Sequence, residues 1–250
     1  MSEAMSGRIG VVVADGVCTV TIDRPEKKNS LTRSMYAALA DAIEMAAAED
    51  ANRVLLLTGA GDVFCAGNDI ADFRATPDPN PPSKRFYFGL AGFPKPVVAA
   101  VPGLAIGIGC TMLLHADIVH AADSARFRLP FVDLGVVPEL GSSMLLPLLC
   151  GHHRAAELLL LGEFFDAATA HEIGLVNRVL DAAELRPNAM ATALALARKP
   201  AGALRTTKAL LRQAVPGLAA HMETERRLFA EALASPETQA ILANVLKKKA

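Results

Sequence analysis

The segment LGVVPELGSS, residues 134–143, contains one acidic side chain, Glu139, among mostly apolar neighbours. A carboxylate in such surroundings loses hydration, which raises its pKa toward neutral pH and suits it to act as a general base. Acidic residues are also common near helix N-termini, where they interact favourably with the helix dipole. The residues alone therefore leave two interpretations open, a helix-start acid and a catalytic base.

Two glycine-containing turns could supply hydrogen-bond donors to the same chemistry. They are VFCAGNDI (63–70) and VPGLAIGIGC (101–110). In each we expect a strand to end in small residues and a helix to begin, which leaves backbone N–H groups unpaired. Two such turns could direct two N–H groups at one oxygen, as in an oxyanion hole. The alternative is that the glycines only close tight turns, and neither segment contains a dinucleotide GxGxxG or a phosphate-binding P-loop.

The elements that would position these turns can be predicted from sequence periodicity. The segment RIGVVVADGVCTVTID (8–23) predicts a hairpin that turns at Asp15-Gly16. Residues 31–50 predict a helix with Thr32 as its N-cap. The apolar face of that helix consists of Met35, Leu39, Ile43 and Ala46.

Strands and helices are predicted to alternate as far as about residue 120. Buried strands are predicted at RVLLLTG (53–59), PVVAAV (96–101) and DIVHAA (117–122). A short helix is expected at 107–116, and a Pro-rich loop at 77–83. This order predicts an α/β class with a largely parallel sheet. Beyond residue 140 the pattern is mostly helical, interrupted by one β-like run at GLVNRVL (174–180).

Composition excludes several classes of protein. The chain has 250 residues, 52% of them hydrophobic and 20% charged, and a net charge of −1, which argues against disorder and against a nucleic-acid partner. The four cysteines lie far apart without metal-ligand spacing, so we expect free thiols, no metal and a cytoplasmic location. No signal-peptide pattern is seen at the start. Residues 96–114 lack charge, but prolines and glycines interrupt them, so we expect no membrane span.

The combined motifs resemble the crotonase, or enoyl-CoA hydratase/isomerase, superfamily. The matching stretches are VTIDRPEKKNSLT (20–32), VFCAGNDIADF (63–73) and the long segment 95–143. The resemblance implies an α/β crotonase spiral of ββα units with a C-terminal helical region that assists trimerisation. It suggests a spiral core over residues 1–195 and a helical region over 196–250, within one functional unit.

The resemblance also implies an acyl-CoA thioester substrate, with no other bound cofactor, and a homotrimer or a dimer of trimers. The backbone N–H groups of Asn68 and Ile108 match those that bind the thioester oxygen in the family. Lys27 and Lys28 could neutralise phosphates of CoA, or could simply be solvated surface. The other positions expected to contact substrate are Ala66, Gly67, Asp69, Ile70, Gly107, Thr111, Phe131 and Leu134.

The sequence departs from typical hydratases at the two positions where they have glutamates. Thr111 and Phe131 stand there instead, and neither side chain can deprotonate a water. Glu139 matches the single glutamate of peroxisomal-type enoyl-CoA isomerases, which move a double bond from position 3 to position 2. The resemblance therefore implies a one-base isomerase. Hydration with an unusual base, another crotonase reaction, and a non-catalytic acyl-CoA-binding protein are the alternatives.

Other polar residues are expected to have structural roles. Asp69 could be structural or could line the pocket, Asp117 is expected to fix a turn, and Asp133 could support Glu139 or be surface. The six histidines show no ligand spacing. Cys65 and Cys110 flank the two turns and are interpreted as small buried fillers.

Overall fold

The structure, a computed structural model, describes residues 7–73 and 81–247. Within these residues the strands form a six-stranded and a three-stranded sheet. The strands are β1 (Arg8–Ala14), β2 (Val17–Asp23), β3 (Val54–Gly59), β4 (Val97–Val101), β5 (Leu104–Ile106), β6 (Ile118–Ala122), β7 (Arg126–Arg128), β8 (Phe165–Asp166) and β9 (Arg178–Leu180).

The larger sheet has the strand order β1-β2-β3-β4-β6-β9. Only the β1–β2 pair in it is antiparallel, and the other pairs are parallel. The smaller sheet has the order β5-β7-β8. The predicted α/β class with a largely parallel sheet is confirmed, as is the strand at GLVNRVL.

Helices cover both faces of the larger sheet and form the C-terminal part. They are α1 (Arg33–Ala48), α2 (Ile70–Phe73), α3 (Pro82–Ala91), α4 (Ile108–Thr111), α5 (Ser142–Cys150), α6 (His152–Ala156), α7 (Ala167–Glu172), α8 (Ala182–Ala197), α9 (Ala201–Gln213), α10 (Leu218–Ala234) and α11 (Pro236–Lys247). A 3₁₀ turn, Met112–His115, extends α4 and completes the predicted short helix.

Local sequence signals determine the first elements. Asp15 and Gly16 both have positive φ, 51° and 79°, which is the conformation of a type I′ hairpin turn. The Thr32 side chain accepts a hydrogen bond from the backbone N–H of Met35 and caps α1. The predicted hairpin, cap and apolar stripe are therefore confirmed.

Two local expectations are wrong. The segment after β4 does not pass directly into a helix, because the short strand β5 intervenes and pairs with β7. The expected Pro-rich loop at 77–83 is wrong at its end, since Pro82 and Ser83 form the first turn of α3. Proline fits there because the first helical N–H has no intrahelical partner. The earlier part of that loop lies outside the described residues.

The hydrophobic core divides at the larger sheet. On one face α1 and α3 pack together over the sheet, and the cluster there includes Phe64, Phe86 and Leu90. On the other face α8 packs against β3, β4 and β6. Since α8 ends at Ala197, it also covers the boundary at residue 195, and the division into two regions remains a prediction.

No helix among the described residues is both long and apolar enough to cross a membrane. The uncharged run 96–114 instead forms β4, β5, α4 and the turn that extends α4.

Candidate active site

The two glycine-containing turns lie against each other. Backbone hydrogen bonds join them: the N–H of Cys65 donates to the carbonyl of Leu104, and the N–H of Ile106 donates to the carbonyl of Cys65. Gly109 is required at this contact, because a Cβ there would lie 2.3 Å from the carbonyl oxygen of Cys65. The sequence therefore brings the two turns together by direct backbone pairing.

The candidate oxyanion-hole donors come from these turns. In the part of the chain that the structure describes, the backbone N–H groups of Asn68 and Ile108 donate to no other group. Gly107 precedes the second donor with a positive φ of 55°. The first donor follows Gly67, whose φ is 95°. Both N–H groups thus lack an acceptor in the described protein, as an oxyanion hole requires, although the Ile108 residue is fully buried.

Glu139 lies in the turn before α5. A residue distant in the sequence holds this turn. The carboxylate of Glu225 on α10 accepts hydrogen bonds from the backbone N–H groups of Gly141 and Ser143. The Ser142 hydroxyl donates to the carbonyl of Glu139 at 2.7 Å. These contacts fix the backbone that presents the candidate base.

The carboxyl group of Glu139 is buried, with 4% of the residue exposed. The Tyr87 hydroxyl donates to Oε2 at 2.6 Å, whereas Oε1 contacts no hydrogen-bond partner within the described residues. Loss of hydration raises the pKa of Glu139 to about 7, against the lowering effect of the Tyr87 hydrogen bond; the Glu225 carboxylate raises it further. Such a group can both accept and return a proton near neutral pH.

Glu139 lines a cavity of about 580 Å³. Asn68, Asp69 and Tyr36 line the same cavity, as do Met222 and Phe229 of α10. The structure therefore brings the predicted base and one predicted oxyanion residue to one cavity, which the C-terminal helices help to enclose.

Asp69 and Asp72 are the other carboxylates at this cavity among the described residues. Asp69 forms an ion pair with Arg24 at 2.6 Å, and this hydrogen-bonded partner holds its pKa below the usual value despite some burial. The Asp72 side chain accepts a hydrogen bond from the backbone N–H of Arg33. Both are structurally engaged, so Glu139 is the better candidate for proton transfer.

The other predicted substrate contacts do not line this cavity. Lys27 and Lys28 are exposed on a 3₁₀ turn, and the carbonyl of Lys28 accepts a hydrogen bond from the N–H of Ala66. Ile70 begins α2, directly after the acid that pairs with Arg24. Leu134 ends a short 3₁₀ turn and is half-buried. Their contacts with substrate remain predictions.

Thr111 and Phe131, which stand at the positions of the two glutamates of the resembled hydratases, are both buried. Thr111 is fully buried, and its hydroxyl lies 3.5 Å from the carbonyl oxygen of Ile108. Phe131 is buried in the core. Neither lines the cavity.

The remaining polar residues have structural contacts. Asp117 accepts hydrogen bonds from the Val97 N–H and the Lys208 ammonium, so it fixes more than the expected turn. Asp133 pairs with Arg128 and does not contact Glu139, so a supporting role there is not observed.

Among the described residues no group of three or more candidate ligands could hold a metal ion. Burial raises the pKa of both Cys65 and Cys110 to about 12, and neither thiol is activated.

The sequence analysis did not identify Tyr36, Tyr87 or Glu225, whose side chains bond to Asn68, to Glu139 and to the turn of Glu139. One signal could have indicated two of them, because the chain contains only two tyrosines and both line the cavity. No comparable signal existed for Glu225, whose partners lie more than 80 residues earlier in the chain.

Comparison with known proteins gives a consistent result. A sequence-family model described as "Enoyl-CoA hydratase/isomerase" matches residues 13–249. The 1,2-epoxyphenylacetyl-CoA isomerase of Escherichia coli is 42% identical over 81% of this chain and 79% of its own length. The enoyl-CoA delta isomerase 2 of Rattus norvegicus is 34% identical over 82% of this chain and 54% of its own length. A probable enoyl-CoA hydratase of Mycobacterium leprae is 32% identical over 96% of both chains.

The fold also matches solved structures. An enoyl-CoA hydratase/isomerase from Pseudoalteromonas atlantica superimposes with a TM-score of 0.92 and 42% identity, covering 97% of this chain and 98% of the other. The expected crotonase fold is therefore confirmed by the match along nearly the whole chain.

Proposed function

The chain belongs to the enoyl-CoA hydratase/isomerase, or crotonase, family, and on this premise we propose that it isomerises 3-enoyl-CoA to trans-2-enoyl-CoA. The family assignment makes it an enzyme of acyl-CoA metabolism. The specific reaction is inferred from the site. Glu139 would act as the single base, and Asn68 and Ile108 would bind the thioester oxygen.

One observation supports this reaction over the others: among the described residues the buried carboxyl of Glu139 keeps one oxygen without a partner, whereas the nearby acids Asp69, Asp72 and Glu225 accept hydrogen bonds from the protein. Hydration is best served by two acid/base groups that hold one water. Here the corresponding positions are a buried threonine and a buried phenylalanine, away from the cavity. A double-bond shift needs only one group that takes a proton and returns it.

The proposed steps balance without any further reactant. Oε1 of Glu139 removes a proton from C2 of the thioester, and the C–H electron pair forms the enolate. The two backbone N–H groups stabilise the negative charge that develops on the thioester oxygen. The protonated carboxyl then returns the same proton at C4, and the double bond comes to lie between C2 and C3. No metal or redox cofactor takes part, and coenzyme A arrives with the substrate.

The CoA part of the substrate would lie along the segment VTIDRPEKKNSLT (20–32). Lys27 and Lys28 are exposed near the Arg24–Asp69 pair, where they could contact the phosphates of CoA. Ala66, Gly67 and Gly107 would allow the thioester to approach the backbone closely. The acyl group would occupy the cavity beneath α10.

A second candidate is isomerisation of an epoxide carried by an aryl-acetyl-CoA ester. The observation that favours it is the 42% identity to the 1,2-epoxyphenylacetyl-CoA isomerase, which exceeds the 34% identity to the enoyl-CoA delta isomerase. A carboxyl group that exchanges protons near neutral pH would suit either substrate.

The test compares three CoA esters with the wild-type protein and Glu139→Gln: 3-hexenoyl-CoA, 2-hexenoyl-CoA and 1,2-epoxyphenylacetyl-CoA. Ultraviolet absorbance follows conjugation, and mass spectrometry detects the addition of water. We expect 3-hexenoyl-CoA to become conjugated without a change in mass, and Glu139→Gln to lose this activity. The glutamine keeps the size of the side chain but cannot exchange a proton near neutral pH.

Each other outcome identifies a rival. A mass gain of one water from 2-hexenoyl-CoA would indicate a hydratase. Turnover of the epoxide ester alone would indicate the second candidate. Tight binding of the esters without turnover would indicate a non-catalytic acyl-CoA-binding protein, and unchanged activity of Glu139→Gln would exclude the proposed base.

Assembly and location remain part of the proposal. A homotrimer or a dimer of trimers would cover exposed apolar side chains such as Leu160, Leu161 and Phe164. Sedimentation equilibrium would distinguish these states from a monomer. The cytoplasmic location is an expectation from the sequence, and fractionation of source cells would test it.

A further inference from the structure

Two tyrosines connect the candidate base to the oxyanion turn. The Tyr87 hydroxyl on α3 donates to Oε2 of Glu139 at 2.6 Å. The Tyr36 hydroxyl on α1 donates to the side-chain oxygen of Asn68. The two hydroxyl oxygens are 3.4 Å apart, and their rings meet edge to face. Because each phenol has one proton, the two tyrosines serve different acceptors.

The Tyr87 hydrogen bond distinguishes the two oxygens of the carboxyl group. Oε2 is occupied by the tyrosine, whereas Oε1 has no partner among the described residues. A carboxylate held at one oxygen cannot exchange its two oxygens by rotation without losing that bond. The geometry therefore presents Oε1 in one orientation.

We propose that Tyr87 is a positioning residue for Glu139: it fixes Oε2, presents Oε1 to the substrate and stabilises the ionised form of the base. This inference rests on the proposed role of Glu139 in proton transfer. Hydrogen bonds to ionised groups are stronger than those to neutral groups, so the donor favours the carboxylate. Burial and the nearby carboxylate keep the pKa of Tyr87 well above its usual value, so its proton stays in place.

The neighbouring residue shows why packing alone does not explain the hydroxyl. Phe86, one position earlier on α3, is fully buried and fills the core with a plain ring. Tyr87 is buried almost as well, but its hydroxyl points at a carboxyl group. A phenylalanine at this position would fill the same space without the donor.

Several other groups face Glu139 and could also influence its titration. They are Tyr36 on α1, Cys65 before the first oxyanion donor, Glu225 and Arg226 on α10, Asp69, Asp72 and Arg33 at the cavity, and His115, which contacts the carbonyl of Leu140. None of these donates a hydrogen bond to the Glu139 carboxyl in the part of the chain described. Tyr87→Phe therefore removes the one direct donor and leaves these groups in place.

The test compares Tyr87→Phe with Tyr36→Phe as a matched control. The pH profile of kcat/KM is measured with 3-hexenoyl-CoA, and the Glu139 carboxyl is titrated by difference infrared spectroscopy with Glu139→Gln as the blank. Tyr87→Phe is expected to raise the midpoint in both experiments by about one pH unit. At pH values below the midpoint, kcat/KM should then be about tenfold lower than in wild type. Tyr36→Phe is expected to shift the midpoint much less, because the direct donor to Glu139 remains.

The infrared titration separates failure of this inference from failure of the proposed function. It reports the Glu139 midpoint even if 3-hexenoyl-CoA is not the substrate. An unchanged midpoint in Tyr87→Phe, or an equal shift in both variants, would overturn the positioning role. If Tyr87→Phe does not fold, 3-fluorotyrosine at position 87 replaces it; this stronger donor is expected to lower the midpoint, and an unchanged midpoint would again overturn the inference.

Discussion

Two buried charged sites in this molecule differ in how completely their polar atoms are partnered. The Lys208 ammonium donates to the Lys95 carbonyl at 2.7 Å and to the Asp117 carboxylate at 2.6 Å, and it lies over the ring of Phe93. Burial lowers the pKa of Lys208 to about 8, although Asp117 opposes this. The Glu139 carboxyl, in contrast, keeps one oxygen unpartnered within the described residues.

The difference separates a structural site from a candidate catalytic one. A buried charge with hydrogen-bonded partners stabilises one arrangement of the backbone. Here Lys208 of α9 bonds to Asp117, which also accepts the N–H of Val97 at the start of β4. A buried carboxyl with one unpartnered oxygen lowers the stability of the fold. Its presence is explained if that oxygen binds another molecule, such as a substrate. We expect mutations at the two sites to affect different properties.

The largest effect is expected on activity at the open site. Glu139→Gln should lower kcat/KM for the proposed reaction by about a thousandfold, or about 4 kcal/mol, because general acid–base groups contribute at this scale. Steady-state kinetics with 3-hexenoyl-CoA would measure it. The matched control is Asp133→Asn, an acid six residues before Glu139 whose carboxylate pairs with Arg128, and kcat/KM should stay within about twofold of wild type. Equal losses in the two variants would remove the distinction.

The next effect is expected on stability at the paired site. Asp117→Ala leaves the Lys208 ammonium buried with its main charge partner gone and removes the acceptor of the Val97 N–H. Because the Asp117 side chain is partly exposed, its loss should lie at the lower end of the cost of breaking a buried ion pair, about 3 kcal/mol. Urea unfolding would measure the free energy of unfolding, which should fall by that amount. A change below about 1 kcal/mol would show that the cluster is not structural.

Removal of the open carboxyl should instead increase stability at high pH. The pKa of Glu139 is raised from 4.5 to about 7 by folding, so the folded state keeps a proton that the unfolded state loses over this range. Wild-type stability should therefore fall by about 3 kcal/mol between these pH values and stay level above them. Urea unfolding of wild type and Glu139→Gln at pH 5 and pH 8 would show the difference, and parallel pH curves would contradict it.

The smallest effect is expected at a partly buried helix cap, with which the effects at the two buried sites can be compared. Thr32 accepts the Met35 N–H at the start of α1, and Thr32→Ala should cost about 1 kcal/mol. The same unfolding measurement tests it. Thr32→Ser, which keeps a capping hydroxyl at this position, serves as its control and should cost less.

Features determined by nearby residues could be predicted from the sequence. The β1–β2 turn follows from Asp15-Gly16, the start of α1 from Thr32, and the buried parallel strands from their continuous apolar runs. Glu139 could be identified because its own neighbours are apolar and the surrounding motif resembles a family pattern. Each of these signals lies within a few residues of the feature.

Features determined by distant partners could not be predicted. Strands β5, β7 and β8 have only two or three residues, too few to show a period, and form because they pair with one another. Tyr36 and Tyr87 resemble ordinary core aromatics in their helices, and only the fold brings their hydroxyls to Asn68 and Glu139. The contact of Glu225 with the turn that presents Glu139 likewise depends on tertiary packing.

The hydrogen bonds between Glu225 and the turn that presents Glu139 have a consequence for how the protein is made. Its carboxylate follows Gly141 by 84 residues, so the ribosome adds it about 4 to 17 seconds later at ordinary rates of synthesis. By the end of that interval every strand of both sheets has been translated. Until then, the turn that presents Glu139 lacks the Glu225 carboxylate that accepts its N–H groups. The nascent chain should therefore contain all the strands of its α/β core before Glu225 can hold the turn that presents Glu139.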